Sequence, residues 1–178
     1  MIGSSAQQGS AKGGANALIW LWLSLLVILL DQGSKYLAVS SLSYGDPVSV
    51  LSFFDLTLLH NTGAAFSFLA GQDGWQRWFF VAIAFGMSIY LLLWLKNTPR
   101  QMVLQASALA LILGGALGNV LDRVSLGYVV DFISVHWQHY YFPAFNIADS
   151  AITAGAILLI WDMVIVTKGN SQNSDVQE

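Results

Sequence analysis

Apolar residues fill this chain in four runs of membrane length, and polar residues gather between them. The first run starts at Ala17, reaches Leu30 and, with the helix continuing across Asp31 to Lys35, ends near Leu42. The others cover Trp75 to Leu95, Val103 to Leu121 and Ile147 to Thr167. About 20 residues, rising about 1.5 Å each, cross a hydrocarbon core of roughly 30 Å. The pattern predicts an all-α membrane protein, a bundle of four transmembrane helices in one membrane-embedded domain over residues 17–167. Residues 1–16, rich in Ser, Gly, Ala and Gln, and the tail 168–178 offer little to bury and are expected to be disordered.

The hydrophobic period changes in the two long connections. Tyr44-Gly45-Asp46-Pro47 is a turn signal, after which Val48, Val50, Phe54, Leu56 and Leu58 alternate with Ser49, Asp55 and Thr57 as in a half-buried strand. Gly127 to Ile133 is a second β-prone run. Paired, the two make a small β-sheet resting on the bilayer surface, with Asp131 on its rim. Ala64 to Leu69 is apolar and aromatic and is expected to lie in the interface, with Trp75, Trp78, Trp137, Tyr140 and Tyr141 as an aromatic belt.

Composition narrows the chemistry. Of 178 residues 56% are hydrophobic and 10% charged, whereas soluble domains are roughly 25% charged. With no Cys there is no disulfide, thiolate metal site or cysteine nucleophile. A net charge of -3 without a Lys or Arg run gives no reason to expect nucleic-acid binding. Lys12, Lys96, Arg100 and Lys168 fall on one side of a four-pass chain, so that side and both termini are predicted to be cytoplasmic. The opposite side receives the connections 43–74 and 122–145, with Asp46, Asp55, Asp73, Asp122 and Asp131. Lys12 followed by an apolar run and Ala38-Val39-Ser40 imitates a cleavable leader, but Asp31 and Lys35 interrupt it.

The polar groups converge on that outer side: Asp31 and Lys35 on helix one, Asn61 in the first loop, Asn119, Asp122 and Arg123 on helix three, and Asn146 and Asp149 at helix four. Asp31 and Lys35, four apart, read as a self-neutralising structural pair. Arg123 is suited to clamping a carbonyl or phosphate, with Asp122 orienting it. Gly114-x-x-x-Gly118 is a close-packing motif. Asp149 reads either as the acid of a capping box with Asn146 or as a working carboxylate, and Asp131 either as a solvated loop residue or as its partner. Brought to about 4 Å at an effective dielectric of about 20, two carboxylates repel by about 4 kcal/mol and share one proton, giving a base and an acid for water attack on a peptide bond. His60, His136 and His139 lack two-ligand spacing, so neither metal nor cofactor is predicted. The alternative is a small proton-coupled membrane transporter using the same carboxylates as a relay; a structural scaffold is a third reading.

Five blocks in order carry a resemblance: Asp31-Gln32-x-x-Lys35; His60-Asn61-Thr62-Gly63-Ala64-Ala65-Phe66; Gly114-Gly115-Ala116-Leu117-Gly118-Asn119-x-x-Asp122-Arg123; Val129-Val130-Asp131-Phe132; and Phe145-Asn146-Ile147-Ala148-Asp149-Ser150. They resemble the bacterial lipoprotein signal peptidase, or signal peptidase II (prolipoprotein signal peptidase), over about Leu18 to Val166. The resemblance implies a four-helix inner-membrane aspartic endopeptidase, its site near the periplasmic face, cutting diacylglyceryl-modified prolipoproteins before the lipidated Cys. It implies Asp131 and Asp149 as catalytic, and Asn61, Gly63, Asn119, Arg123 and Asn146 around the substrate. Asp31, Lys35 and Asp122 are expected as structural support. It also implies a periplasmic β-sheet, an interfacial helix or lid, membrane lipid contact, and inhibition by a cyclic peptide such as globomycin; a monomer is the expected state, although the sequence itself does not fix the oligomeric state.

Overall fold

The computed structural model describes residues 16–63 and 74–174, with side chains as far as Ile165. A 3-10 turn, Ala17–Trp20, leads into α1 (Leu21–Ser41); α2 spans Trp75–Asn97, α3 Val103–Ser125 and α4 Ile147–Ser174. Among the described residues, four helices are long and apolar enough to cross a membrane. The expected interfacial segment Ala64 to Leu69, Asp73, Lys12 and nearly all of the 1–16 segment lie outside the described residues.

Two helices run past their expected ends. α3 continues through Asp122 and Arg123, and Gly127, with φ 91°, ends it by bonding its N–H to the Arg123 carbonyl. α4 continues to Ser174, beyond the boundary expected at residue 168. An established helix propagates at one hydrogen bond per residue fixed, so a polar sequence alone does not stop it.

α3 is the central helix, packed against α1, α2 and α4. Glycines let it approach its neighbours. A Cβ on Gly114 would lie 2.8 Å from the Ser24 carbonyl of α1, and one on Gly115 would collide with the Ala148 carbonyl of α4. Gly155 of α4 gives the reciprocal contact, facing Ala108 and Ile112. Gly115→Ala should therefore destabilise the detergent-solubilised protein by about 1–3 kcal/mol in a thermal unfolding assay. Gly33→Ala, where a Cβ meets nothing within 4 Å, should be neutral or slightly stabilising.

The connections form one four-stranded antiparallel sheet, β1 (Val48–Leu51), β2 (Phe54–Asn61), β3 (Val129–Trp137) and β4 (Tyr140–Tyr141), in that spatial order. The single strand expected over 48–58 is instead a hairpin turning at Ser52 and Phe53. Its polar alternates are not the solvated ones: Asp55 and Thr57 are buried while Phe54 and Leu56 are half-buried. The Asp55 carboxylate lies 3.2 Å from His136 Nε2, an ion pair whenever that imidazole is protonated. Asp131 is not on the rim either; it pairs with Leu59 inside the β2–β3 ladder and is 3% exposed.

The interior changes character along the bundle. At one end Ala17, Leu91, Leu95, Ala106, Leu109 and Leu113 form an apolar core, and the Ala17 N–H donates to Thr98 in the α2–α3 link. At the other, where the sheet sits, Asp31, Lys35, Asp122, Asp131 and Asn146 are buried beside Val129, Val130 and Ala148.

Candidate active site

Asp149 lies in the first turn of α4, and Asn146 caps that helix. The Asn146 side-chain oxygen accepts the Asp149 N–H at 2.9 Å, while the Asp149 carboxylate accepts the Asn146 N–H at 3.3 Å. This is a reciprocal capping box. The structural and the chemical readings of Asp149 therefore coexist, since the same Asn146 donates its side-chain Nδ2 to Asp131 at 2.7 Å. One residue thus contacts both carboxylates. Asn61 donates to the other oxygen of Asp131 at 3.0 Å, and Asn119 donates to Asp149 at 2.7 Å.

Beneath the pair lies a closed ionic cluster. Lys35 Nζ is 2.8 Å from Asp31 and 2.9 Å from Asp122, and donates to Asn119 Oδ1 at 3.1 Å. Asp122 does not orient Arg123, contrary to expectation; it accepts from Gln32 and from the Val130 N–H. One helical step round from Asp122, Arg123 projects elsewhere, donating to the Gly63 carbonyl at 3.0 Å and the Asn119 carbonyl at 3.3 Å, with its guanidinium 5.4 Å from the Phe80 ring centre. Gln32 carried no assignment from sequence, although an amide one residue from a buried acid in an apolar helix was the available signal.

A cavity of about 1350 Å³ opens over the pair, bounded by Asn61, Asn119, Arg123, Asp131 and Asp149 among others, and extends along α4 past Thr153 to Ile157. Two residues expected to face a substrate do not line it. Asn146 is wholly buried and spends its donors on the carboxylates, and Gly63 is buried with its N–H on Asn61 and its carbonyl on Arg123. At the rim His60 stacks on Tyr128, ring centres 3.9 Å apart, with Tyr44 on its other side; partial burial lowers its pKa.

The Asp131 carboxyl is pushed up to about 7, by burial first and by the charge of Asp149 second, against the opposing hydrogen bonds from Asn61 and Asn146. A raised acid contributes stability that is complete below the ordinary carboxylate range and is lost as pH rises through about 7. Between pH 5 and 8 that loss is about 2–3 kcal/mol. Asp131→Asn cannot titrate, so its melting temperature relative to wild type should rise over that interval; a constant difference would contradict the shift.

Comparison with known proteins identifies the family. The family model described as Signal peptidase (SPase) II matches residues 23–165. A lipoprotein signal peptidase of Acinetobacter baumannii is 54% identical over 175 residues, covering 98% of this chain and 99% of the relative. One from Pseudomonas fluorescens is 56% identical over 156 residues, covering 86% and 92%. A bacterial membrane enzyme solved by the in meso method at 2.3 Å resolution is similar in fold, with a TM-score of 0.76 and 34% identity, over 85% of this chain and 90% of that one.

Proposed function

Because the chain belongs to the signal peptidase II family, we propose that Asp131 and Asp149 are the catalytic pair with which it removes signal peptides from prolipoproteins. The chain is an aspartic peptidase and a multi-pass protein of the bacterial inner membrane. The transporter reading has no support, since the family is enzymatic and the buried ionisable groups gather at one end of the bundle. The observation that carries the assignment is Asn146, in contact with both carboxylates at once.

We assign the base role to Asp149, which lies in the first turn of α4 where the helix dipole favours negative charge, and the proton of the pair to Asp131. Asp149 takes a proton from a water as its oxygen attacks the scissile carbonyl. Asp131 donates to the carbonyl oxygen, and collapse of the tetrahedral intermediate delivers a proton to the leaving amine. Asn61, Asn119 and Asn146 hold the carboxylates in register, and Arg123 lines the cavity with its fork partly engaged on Gly63.

The scissile bond precedes a diacylglyceryl-modified Cys, and the lipid enters laterally from the membrane. The termini are cytoplasmic and the dyad lies near the periplasmic face; in support, the N-terminal turn shares one end of the bundle with Lys96 in the last turn of α2 and Arg100 in the α2–α3 link, and the carboxylates share the other end. The enzyme works as a monomer, and a cyclic peptide of the globomycin type blocks the cavity. Purified enzyme in detergent, with no ion gradient, should shorten a diacylated precursor and leave the unmodified precursor intact. Equal cleavage of both removes the lipid requirement, and cleavage of neither removes the peptidase reading.

A further inference from the structure

The two proposed catalytic carboxylates are held from behind as well as from the cavity side. The Val130 N–H, one residue before Asp131, donates to Asp122 Oδ2 at 3.0 Å. The Ala148 N–H, one residue before Asp149, donates to Asp31 Oδ1 at 2.9 Å. Each catalytic position thus hangs on a buried acid, one from α1 and the other from α3. The spacing of Asp131 and Asp149 then follows the spacing and tilt of Asp31 and Asp122.

Lys35 attracts both of those acids, through the Oδ2 of each. An ammonium is a compact point charge and leaves a carboxylate free to swing about its own axis. The planar amide of Gln32 removes that freedom. Its Nε2 lies 3.1 Å from Asp31 Oδ2, 2.9 Å from Asp122 Oδ1 and 3.3 Å from the Gly118 carbonyl. Two hydrogens serve three acceptors, so one bond is shared, and the amide ties α1 to α3 at the level where the arms to Val130 and Ala148 leave. Gly118 keeps the space open, since a Cβ there would lie 2.7 Å from Asp31 Oδ2.

Resting on the dyad reading above, we propose that Gln32 is a positioning residue that, by tying Asp31 to Asp122, fixes the backbone before Asp131 and Asp149 and so the distance between the two carboxylates. It is not among the residues that line the cavity. Displacements of about 1 Å at reacting groups cost up to about 100-fold in rate.

Gln32→Met keeps length and volume and removes both donors. Its kcat should fall about 10- to 100-fold while KM for the diacylated precursor stays within about twofold. The falling limb of its pH–kcat profile should also move to lower pH, because a more distant Asp149 raises Asp131 less. Gln32→Glu, bound neutral with a single donor, should give a smaller fall with the same direction of limb shift, and it carries the test if the Met variant does not fold. Either variant, recovered folded, with wild-type kcat per molecule and a superimposable pH profile would overturn the proposal, as would a lower yield with unchanged kcat. The outcome is separable from that of the dyad reading: an inert Asp131→Asn enzyme beside unaffected Gln32 variants removes this inference alone, whereas an active Asp131→Asn enzyme removes both.

Discussion

Asp131→Asn and Asp149→Asn should each lower single-turnover cleavage of a diacylated precursor by at least about 10³-fold, and the double variant should be no worse than either single one. Non-additivity is the signature of groups that act together on one water. Asn has the size of Asp and keeps an acceptor for its neighbours, so the loss should occur in folded protein. Removing Asp149 eliminates the base, and removing Asp131 eliminates the proton that meets the carbonyl oxygen. Either single variant within about tenfold of wild type would mean that the other carboxylate works alone or that neither works.

Lys35→Met should cost more stability than any other single change considered. The ammonium is 4% exposed and lies between Asp31 and Asp122, whose side chains are 0% and 3% exposed. Without it two carboxylates remain buried with no cation between them. Breaking a buried ion pair from one side costs about 3–5 kcal/mol, a large share of the roughly 5–15 kcal/mol that holds a domain together. Little folded protein should be recovered, by size-exclusion chromatography or thermal unfolding in detergent. Adding Asp31→Asn to Lys35→Met should restore part of the loss, because one uncompensated charge disappears with it. A Lys35→Met protein with wild-type yield and melting temperature would show that the cluster carries no net stabilisation.

The helices were legible because a chain in lipid must satisfy its backbone within each span, which forces long apolar runs. Asp31 and Lys35 were legible as a pair because their spacing on one helix fixes their proximity. The partner of Asp122 was not: the bond from Gln32 joins residues 90 apart, and sequence adjacency favoured Arg123 instead. The hairpin at Ser52 and Phe53 was hidden because neither residue is a Gly, Pro or Asn turn signal. The buried polar face of β2 was hidden for another reason. Alternation reveals two faces of a strand but not which one is wet, and here Asp55 and Thr57 are buried along with Leu58. The acids were placed near each other in sequence by their motifs, but the joint grip of Asn146 on both required the helix cap and the fold of β3 onto α4.

The coupling of the two carboxylates can be read without substrate, by infrared titration of enzyme carrying ¹³C-labelled aspartate side chains, in wild type and in Asp149→Asn. Wild type should contain a protonated carboxyl that ionises near pH 7, absent from Asp131→Asn and shifted to lower pH in Asp149→Asn, where the neighbouring charge is gone. A band that ionises at the same pH with Asp149 replaced would contradict the account, because the two side chains would then be too far apart to share a proton.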